Sequence, residues 1–341
     1  MKVTEITAFP KVLLHDHVDG GLRAQTIIEL ANQIGFDLPS HHAQEFQDLI
    51  FRNCNEGSLE KYLKNFDYTI AVMQTHDNLL RVARECVEDL ALDGVAYAEV
   101  RGAPELFTQD GLSIEQVIEA TLLGLEEGMK NVAVNGGKIT VRFITCAMRH
   151  TNRSLEVARA TLKYRNHGVV GFDIAGPEAG FPAKNHKEAF DLLYSEEFPF
   201  TIHAGEADSV DSMIDAIHHC RAKRIGHGVR IMDAIDLSGD SPRLNEFAKF
   251  VLDQQIHLEM APTSNIQTGA ASSYEKHPAG LLHSLGFNIA LNTDNRLMSN
   301  TTLSREYELM SAAHGWDLSD IEEMNAKALS AAFDSGYALT P

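Results

Sequence analysis

The sequence has no CxxC pair, no GxGxxG turn and no run of about 18 uninterrupted apolar residues. Its four cysteines, Cys54, Cys86, Cys146 and Cys220, lie far apart, which argues against a disulfide framework or a thiolate zinc site and for free buried thiols. The N-terminus lacks a basic stretch leading into an apolar one, so neither a secretion signal nor a spanning helix is expected, and a cytoplasmic protein is. Positive charge is also short: 29 Lys and Arg face 48 Asp and Glu, a formal charge of −19. Such a field repels nucleic acid and anionic lipid, so the expected partner is a small molecule, with no nucleic acid and no membrane. No Gly/Ser linker, repeat or low-complexity tract divides the chain, and residues 1–341 read as one domain. With 44% hydrophobic and 23% charged residues, it can bury a large core. The pattern says nothing of oligomeric state.

What the chain does have is a repeated alternation. Eight short apolar, β-branched runs read as strands: "KVLLHDH", "VAYAEVR", "KITVRFITCAM", "VVGFDIAG", "FTIHAGE", "RIGHGV", "IHLEMAPTS" and "NIALNTDN". Helix-like segments occupy 25–34, 58–73, 79–92, 113–129, 154–164, 186–194, 209–220 and 244–252, and 303–313 and 319–333 close the chain. Ser113 with Gln116, and Ser319 with Glu322, have capping-box spacing. Eight strands alternating with helices predict an α/β fold, a (β/α)8 TIM-type barrel with a helical insertion after the first strand and C-terminal helices. A doubly wound open sheet is the alternative, and the turn after the first strand lacks its glycine fingerprint.

Barrel chemistry collects at the carboxyl ends of the strands, and there the polar residues of this chain fall. The first strand ends in His15 and His17, two residues apart and so on one face, followed by Asp19. The fourth ends at Asp173 and Gly176, the fifth in "HAGE" with His203 and Glu206, the sixth carries His227 between glycines, the seventh ends in "PTSN" and the eighth in Asp294 and Asn295. Taken singly, a histidine in an apolar strand is ordinarily core and an aspartate before a loop is ordinarily a cap. In a closed barrel, however, the first and eighth strands are neighbours, and His15, His17, His203 and Asp294 converge. Imidazole nitrogen with one carboxylate oxygen suits zinc, with one position left open for water.

In order and spacing, "LLHDHVDG", "FDIAG", "TIHAGE", "RIGHGVR", "PTSN" and "LNTDN" resemble the adenosine deaminase family of the metal-dependent amidohydrolase superfamily. "FDYTIAVMQ", "YAEVR" and "MRH" extend the resemblance over nearly the whole chain. It implies one Zn2+ per chain on His15, His17, His203 and Asp294, lowering the pKa of bound water toward about 7. It also implies hydrolytic deamination of adenosine and 2′-deoxyadenosine, with Glu206, His227 and Asp294 catalytic. Glu206 would protonate purine N1 as hydroxide attacks C6, and His227 would orient the water and assist its deprotonation. His17, Asp19, Gly176 and Asn295 would face the substrate, with Asp19 at the ribose 5′-hydroxyl and the Gly176 amide at N3.

One position departs from the commonest family pattern: the second aspartate after the eighth strand is Asn295, which supplies an amide N–H to N7 without needing a proton. Asp19 stands where relatives acting on free adenine show HxHxEG, and a carboxylate there accepts a hydroxyl and repels a phosphate. A deaminase of free adenine or of a modified aminopurine is the second reading. Hydrolysis of an ester, lactone or amide on the same metal is a third, against which "HAGE" places a carboxyl suited to protonating a ring nitrogen. A non-catalytic barrel that binds metal or nucleoside is a fourth, against which stand His227 and Glu206. Within 58–73, Tyr62, Leu63 and Phe66 are placed either to cover the base as a lid or to pack on the barrel.

Overall fold

Each of the eight strand-like runs forms a strand, and each pairs in parallel with the next. The computed structural model describes residues 3–334 and 336. Strands β1 (Lys11–His17), β2 (Val95–Gly102), β3 (Thr140–Met148) and β4 (Val169–Ala175) form one parallel sheet. Strands β5 (Ile202–Ala204) and β6 (Arg224–His227) form a second with β9 (His257–Met260) and β10 (Ile289–Leu291), while β7 (Ile235–Asp236) and β8 (Arg243–Leu244) make a small antiparallel ribbon outside it. Isolated parallel bridges, Phe172 to Phe200 and Asp16 to Asp294, join the two sheets at both seams. The second seam carries two backbone bonds, His17 N–H to Asp294 O at 2.7 Å and Asp294 N–H to His15 O at 3.0 Å. The result is the (β/α)8 barrel that the alternation predicts.

Strands covered on both faces read as continuous apolar runs, and all of β1 is buried. The helix Ile114–Val134 closes on its neighbour His76–Leu92 at a glycine: a Cβ on Gly124 would sit 2.3 Å from Leu80 O. Inside the barrel, charge replaces part of the usual aliphatic filling. Arg101, Arg224, Glu99, Asp173 and Glu259 are all almost fully buried, each paired with an opposite charge.

The insertion after β1 holds five helices, of which Ala43–Cys54 was not expected; it buries Phe46, Ile50 and Cys54 at four-residue spacing. The segment 58–73 is two helices, Leu59–Leu63 and Phe66–Val72, because the Asn65 amide donates to Tyr62 O at 3.1 Å and ends the first. Pro262 starts a helix, Pro262–Gln267, where "APTS" was expected to continue a strand, since proline at the first helical turn loses no needed N–H. The 209–220 segment is α-helical over Val210–Ile214 and turns to π geometry over Asp215–His219. The Ser113–Gln116 capping box forms; the second box is made by Asp317 and Asp320 rather than Ser319 and Glu322, because the last helix begins at Leu318. The four cysteines are buried and unpaired. Among the described residues, no helix is long and apolar enough to cross a membrane.

Candidate metal and substrate site

Alternation along β1 turns His15 and His17 to one side, their ring centroids 5.4 Å apart. Asp16 between them points away and accepts from Thr293 Oγ1 at 2.9 Å and Arg296 Nε at 3.0 Å. The seam between β1 and the segment after β10 delivers Asp294 beside the pair, with Oδ1 3.2 Å from His15 Nε2 and 3.5 Å from His17 Nε2. His203, at the middle of β5, brings its Nε2 to 3.2 Å from His17 Nε2. His227 ends β6 with its ring centroid 4.9 Å from that of His15. Possible ligand atoms of His15, His203, His227 and Asp294 all lie within 4.8 Å of one another. His227 (φ 66°) and Asp294 (φ 57°) hold left-handed backbone, a strain of about 1–3 kcal/mol each that the surrounding barrel maintains.

These groups fit a cation. The Nε2 atoms of His17 and His203 face each other at 3.2 Å, and the buried His15 Nε2 lies 3.2 Å from Asp294 Oδ1, so possible ligand atoms are aimed into one small space. Burial pushes the pKa values of His17, His203 and His227 down, which keeps these imidazoles neutral. Burial pushes the Asp294 carboxyl up, but the hydrogen bond and charge of His15, with His227 and His17, outweigh it and hold the carboxyl well below the usual range. For His15, burial and the Arg101 charge lower the pKa, and Asp294 and Glu259 raise it further than that. The site therefore demands positive charge beside Asp294, and neutral imidazoles stand ready to share it.

Carboxylates behind the histidines fix their rings. Glu259 Oε2 lies 3.0 Å from His15 Nδ1 and Asp173 Oδ2 lies 2.8 Å from His203 Nδ1. Arg101 bridges the two carboxylates at 2.6 and 2.8 Å, and Arg224 also contacts Glu259 at 2.7 Å. Such outer carboxylates set imidazole orientation and basicity. Glu259→Gln is accordingly expected to weaken metal affinity by about 10–100-fold, measured by competition against a chelator. Unchanged affinity would show that His15 is oriented by other contacts.

Glu206 lies across from Asp294, with Oε2 3.5 Å from His227 Nε2 and Oε1 accepting from Thr268 Oγ1 at 3.0 Å. Its loop is pinned by Glu178, which the sequence reading did not single out. The Glu178 carboxylate accepts from the backbone N–H groups of Gly205 (2.6 Å), Glu206 (3.0 Å), Ala207 (2.6 Å) and Asp208 (3.0 Å), and from Ser212 Oγ at 2.6 Å. Burial, then the Asp294 and Glu178 charges, push the Glu206 carboxyl well above its usual range, so it holds a proton.

These residues open into a cavity of about 400 Å3, a volume within the range of small-molecule sites. Asp19, Gly176, Glu206, His227, Asp294 and Asn295 all line it, so residues expected from five of the strand ends meet in one place, while "PTSN" after the seventh does not line the cavity. His15 lies beneath, fully buried. Asp19 Oδ1 and Asn295 Oδ1 are buried without partners, open to hydrogen bonds from a ligand. Asn295 occupies space that Gly20 leaves free: a Cβ on Gly20 would lie 1.8 Å from Asn295 Oδ1. Ala103, Cys146 and Ala175 form an apolar patch on one wall, and Tyr62, Leu63 and Phe66 face the cavity from the helical insertion.

The sequence matches the family model described as Adenosine deaminase over residues 10–336. The chain belongs to the adenosine deaminase family. Among curated relatives of that family, the adenosine deaminase of Mycolicibacterium gilvum is 49% identical over 337 residues, 98% of this chain and 93% of that protein. A solved structure of the N6-mAMP deaminase of Arabidopsis superposes with TM-score 0.83 at 27% identity, covering 98% of this chain and 96% of the other. A structure of an amidohydrolase from Burkholderia ambifaria with bound Zn superposes at 0.84 and 22% identity, covering 98% and 89%, which supports the shared fold. The family is one of metal-dependent hydrolases, and the chain holds a cluster that could bind a metal ion, His15, His203, His227 and Asp294, with His17 beside it.

Proposed function

We propose that this protein hydrolytically deaminates adenosine and 2′-deoxyadenosine to the inosine forms and ammonia, with one zinc ion held by His15, His17, His203 and Asp294. The observation that carries the reading is the buried Glu206 carboxyl, 3.5 Å from His227 in the cavity that Asp294 also lines, where burial and the Asp294 and Glu178 charges favour its protonated form. Zinc, when bound, lowers the pKa of water toward about 7 and offsets negative charge on its oxygen. Glu206 gives its proton to purine N1 while the water oxygen adds to C6, and the Asp294 carboxylate accepts the proton that the water gives up. His227 holds the water in line. Asp294 passes that proton to the amino group as the C6–N bond breaks and ammonia leaves, and the remaining C6 hydroxyl proton passes to Glu206 as C6 becomes a carbonyl, restoring the acid.

Sugar recognition supports a nucleoside. Asp19 Oδ1 has no partner, and burial pushes this carboxyl up to about 7, suiting it to a neutral hydroxyl such as the ribose 5′-OH. A phosphate would meet a rim where Glu60 and Asp67 outnumber Lys64. Free adenine would leave Asp19 buried and unpaired. Parallel assays by ultraviolet absorbance are therefore expected to show turnover of adenosine and 2′-deoxyadenosine. For adenine and AMP, kcat/KM is expected to be lower by about 10³-fold or more. Comparable turnover of adenine would move the assignment to a base deaminase.

A further inference from the structure

Beside the metal cluster runs a chain of hydrogen bonds that the reaction above leaves unused. It begins at the helix Pro278–Ser284, where the Ala279 N–H donates to His277 Nδ1 at 3.2 Å. A backbone N–H only donates, so His277 carries its proton on Nε2. That Nε2–H faces Asn265 Oδ1 at 3.2 Å, and the Ala261 N–H reaches the same oxygen at 3.3 Å. The two donors fix the Asn265 amide, since the opposite orientation would set its NH2 group against both. Its Nδ2–H then points at His227 Nδ1, 2.9 Å away. His227, Asn265 and His277 are at most 2% exposed, so bulk water does not substitute for any member. A histidine whose Nδ1 accepts a hydrogen bond is neutral and carries its proton on Nε2. Burial and the nearby His314 push His277 down to about 3, in keeping with its neutral form.

We propose that Asn265, oriented by Ala261 and His277, is a positioning residue that locks His227 in the Nε2–H form, so that His227 meets the reacting oxygen as a hydrogen-bond donor and neither as a base nor as a metal ligand. The inference rests on the deaminase reading only for the identity of that oxygen. It separates two histidines that distance alone leaves equivalent. His227 lies within the cluster of possible ligand atoms, yet its inward nitrogen is occupied by hydrogen; among the described residues no such donor faces His17, whose Nε2 lies 3.2 Å from His203 Nε2. It also leaves the water's proton to Asp294.

The test is an NMR spectrum of the full-length, zinc-loaded protein with isotopically labelled histidine nitrogens, the His227 signals being identified by their loss in His227→Gln. The expected spectrum shows His227 Nε2 protonated and Nδ1 bare. In Asn265→Asp the new carboxylate only accepts, so the proton moves to Nδ1 and kcat falls by about 10–100-fold with KM nearly unchanged. A wild-type spectrum with the proton on Nδ1 overturns the proposal whether or not the variant folds, and so does Nε2 protonation that persists in Asn265→Asp. The spectrum needs no substrate: the expected tautomer in a protein that leaves adenosine untouched would overturn the deaminase reading alone, and the opposite tautomer in an active deaminase would overturn this inference alone.

Discussion

Glu206→Gln keeps its metal and loses turnover by about 10²–10⁴-fold, the range that a positioned general acid supplies. Glutamine preserves the shape of the side chain and an oxygen for the Thr268 hydroxyl, 3.0 Å away, so the loop pinned by Glu178 has no reason to move. What it cannot do is give a proton to a ring nitrogen. The Glu206 carboxyl is buried among the Asp294 and Glu178 carboxylates, which favour its protonated form, and the amide removes that chemistry without opening a void. Steady-state rates with adenosine, alongside elemental analysis, check the split. Near-normal turnover in the variant would place the proton donor elsewhere.

His15→Ala is expected to lose metal and activity together, and by more than the ~10–100-fold that a supporting carboxylate costs. His15 is fully buried and stands between two carboxylates, Glu259 at 3.0 Å and Asp294 at 3.2 Å. Without the ring, a ligand nitrogen is missing, Glu259 retains only Arg101, Arg224 and Thr201 as partners, and Asp294 loses the neighbour that most holds it ionised. Metal content per chain is the direct readout. Full zinc occupancy in the variant would remove His15 from the ligand set.

The residues that meet in the cavity were legible because each stands in or just after the C-terminal half of a strand-like run and interrupts its apolar pattern. His15, His17, His203, His227 and Asp294 are anomalies in their local pattern, and barrel topology alone brings them to one rim. Glu259 and Arg101 are anomalies of the same kind, in "IHLEM" and "AEVR", yet their part in the site was not read. A buried charge in a strand shows that a partner exists but does not say which one, and here the partners come from strands 158 residues apart. Glu178 was illegible for a different reason. Its role is to accept four successive backbone N–H groups from another loop, and a backbone donor leaves no trace in residue type. Asn265 belongs to the same class, since its orientation depends on the Ala261 amide.

Secondary structure followed the same logic. Long amphipathic segments such as Ile114–Val134, opened by a capping box, are plain, whereas Ala43–Cys54 starts at His42 with no side-chain cap to mark it, although Phe46, Leu49, Ile50 and Cys54 recur at helical spacing. The break at Asn65 depends on one side-chain amide bonding to Tyr62 O, a competition between side chain and helix that hydrophobic period does not register.

The central claim is that residues from β1, β5 and the segment after β10 share one cation beside a protonated carboxyl. Diffraction from crystals of the purified protein, recorded on both sides of the zinc absorption edge, tests it most directly. The account predicts one strong anomalous peak bounded by His15, His17 and His203 Nε2 and an Asp294 oxygen, with Glu206 facing it and His227 outside the coordination sphere. No peak at that position, or a metal held by a different set of side chains, would contradict it.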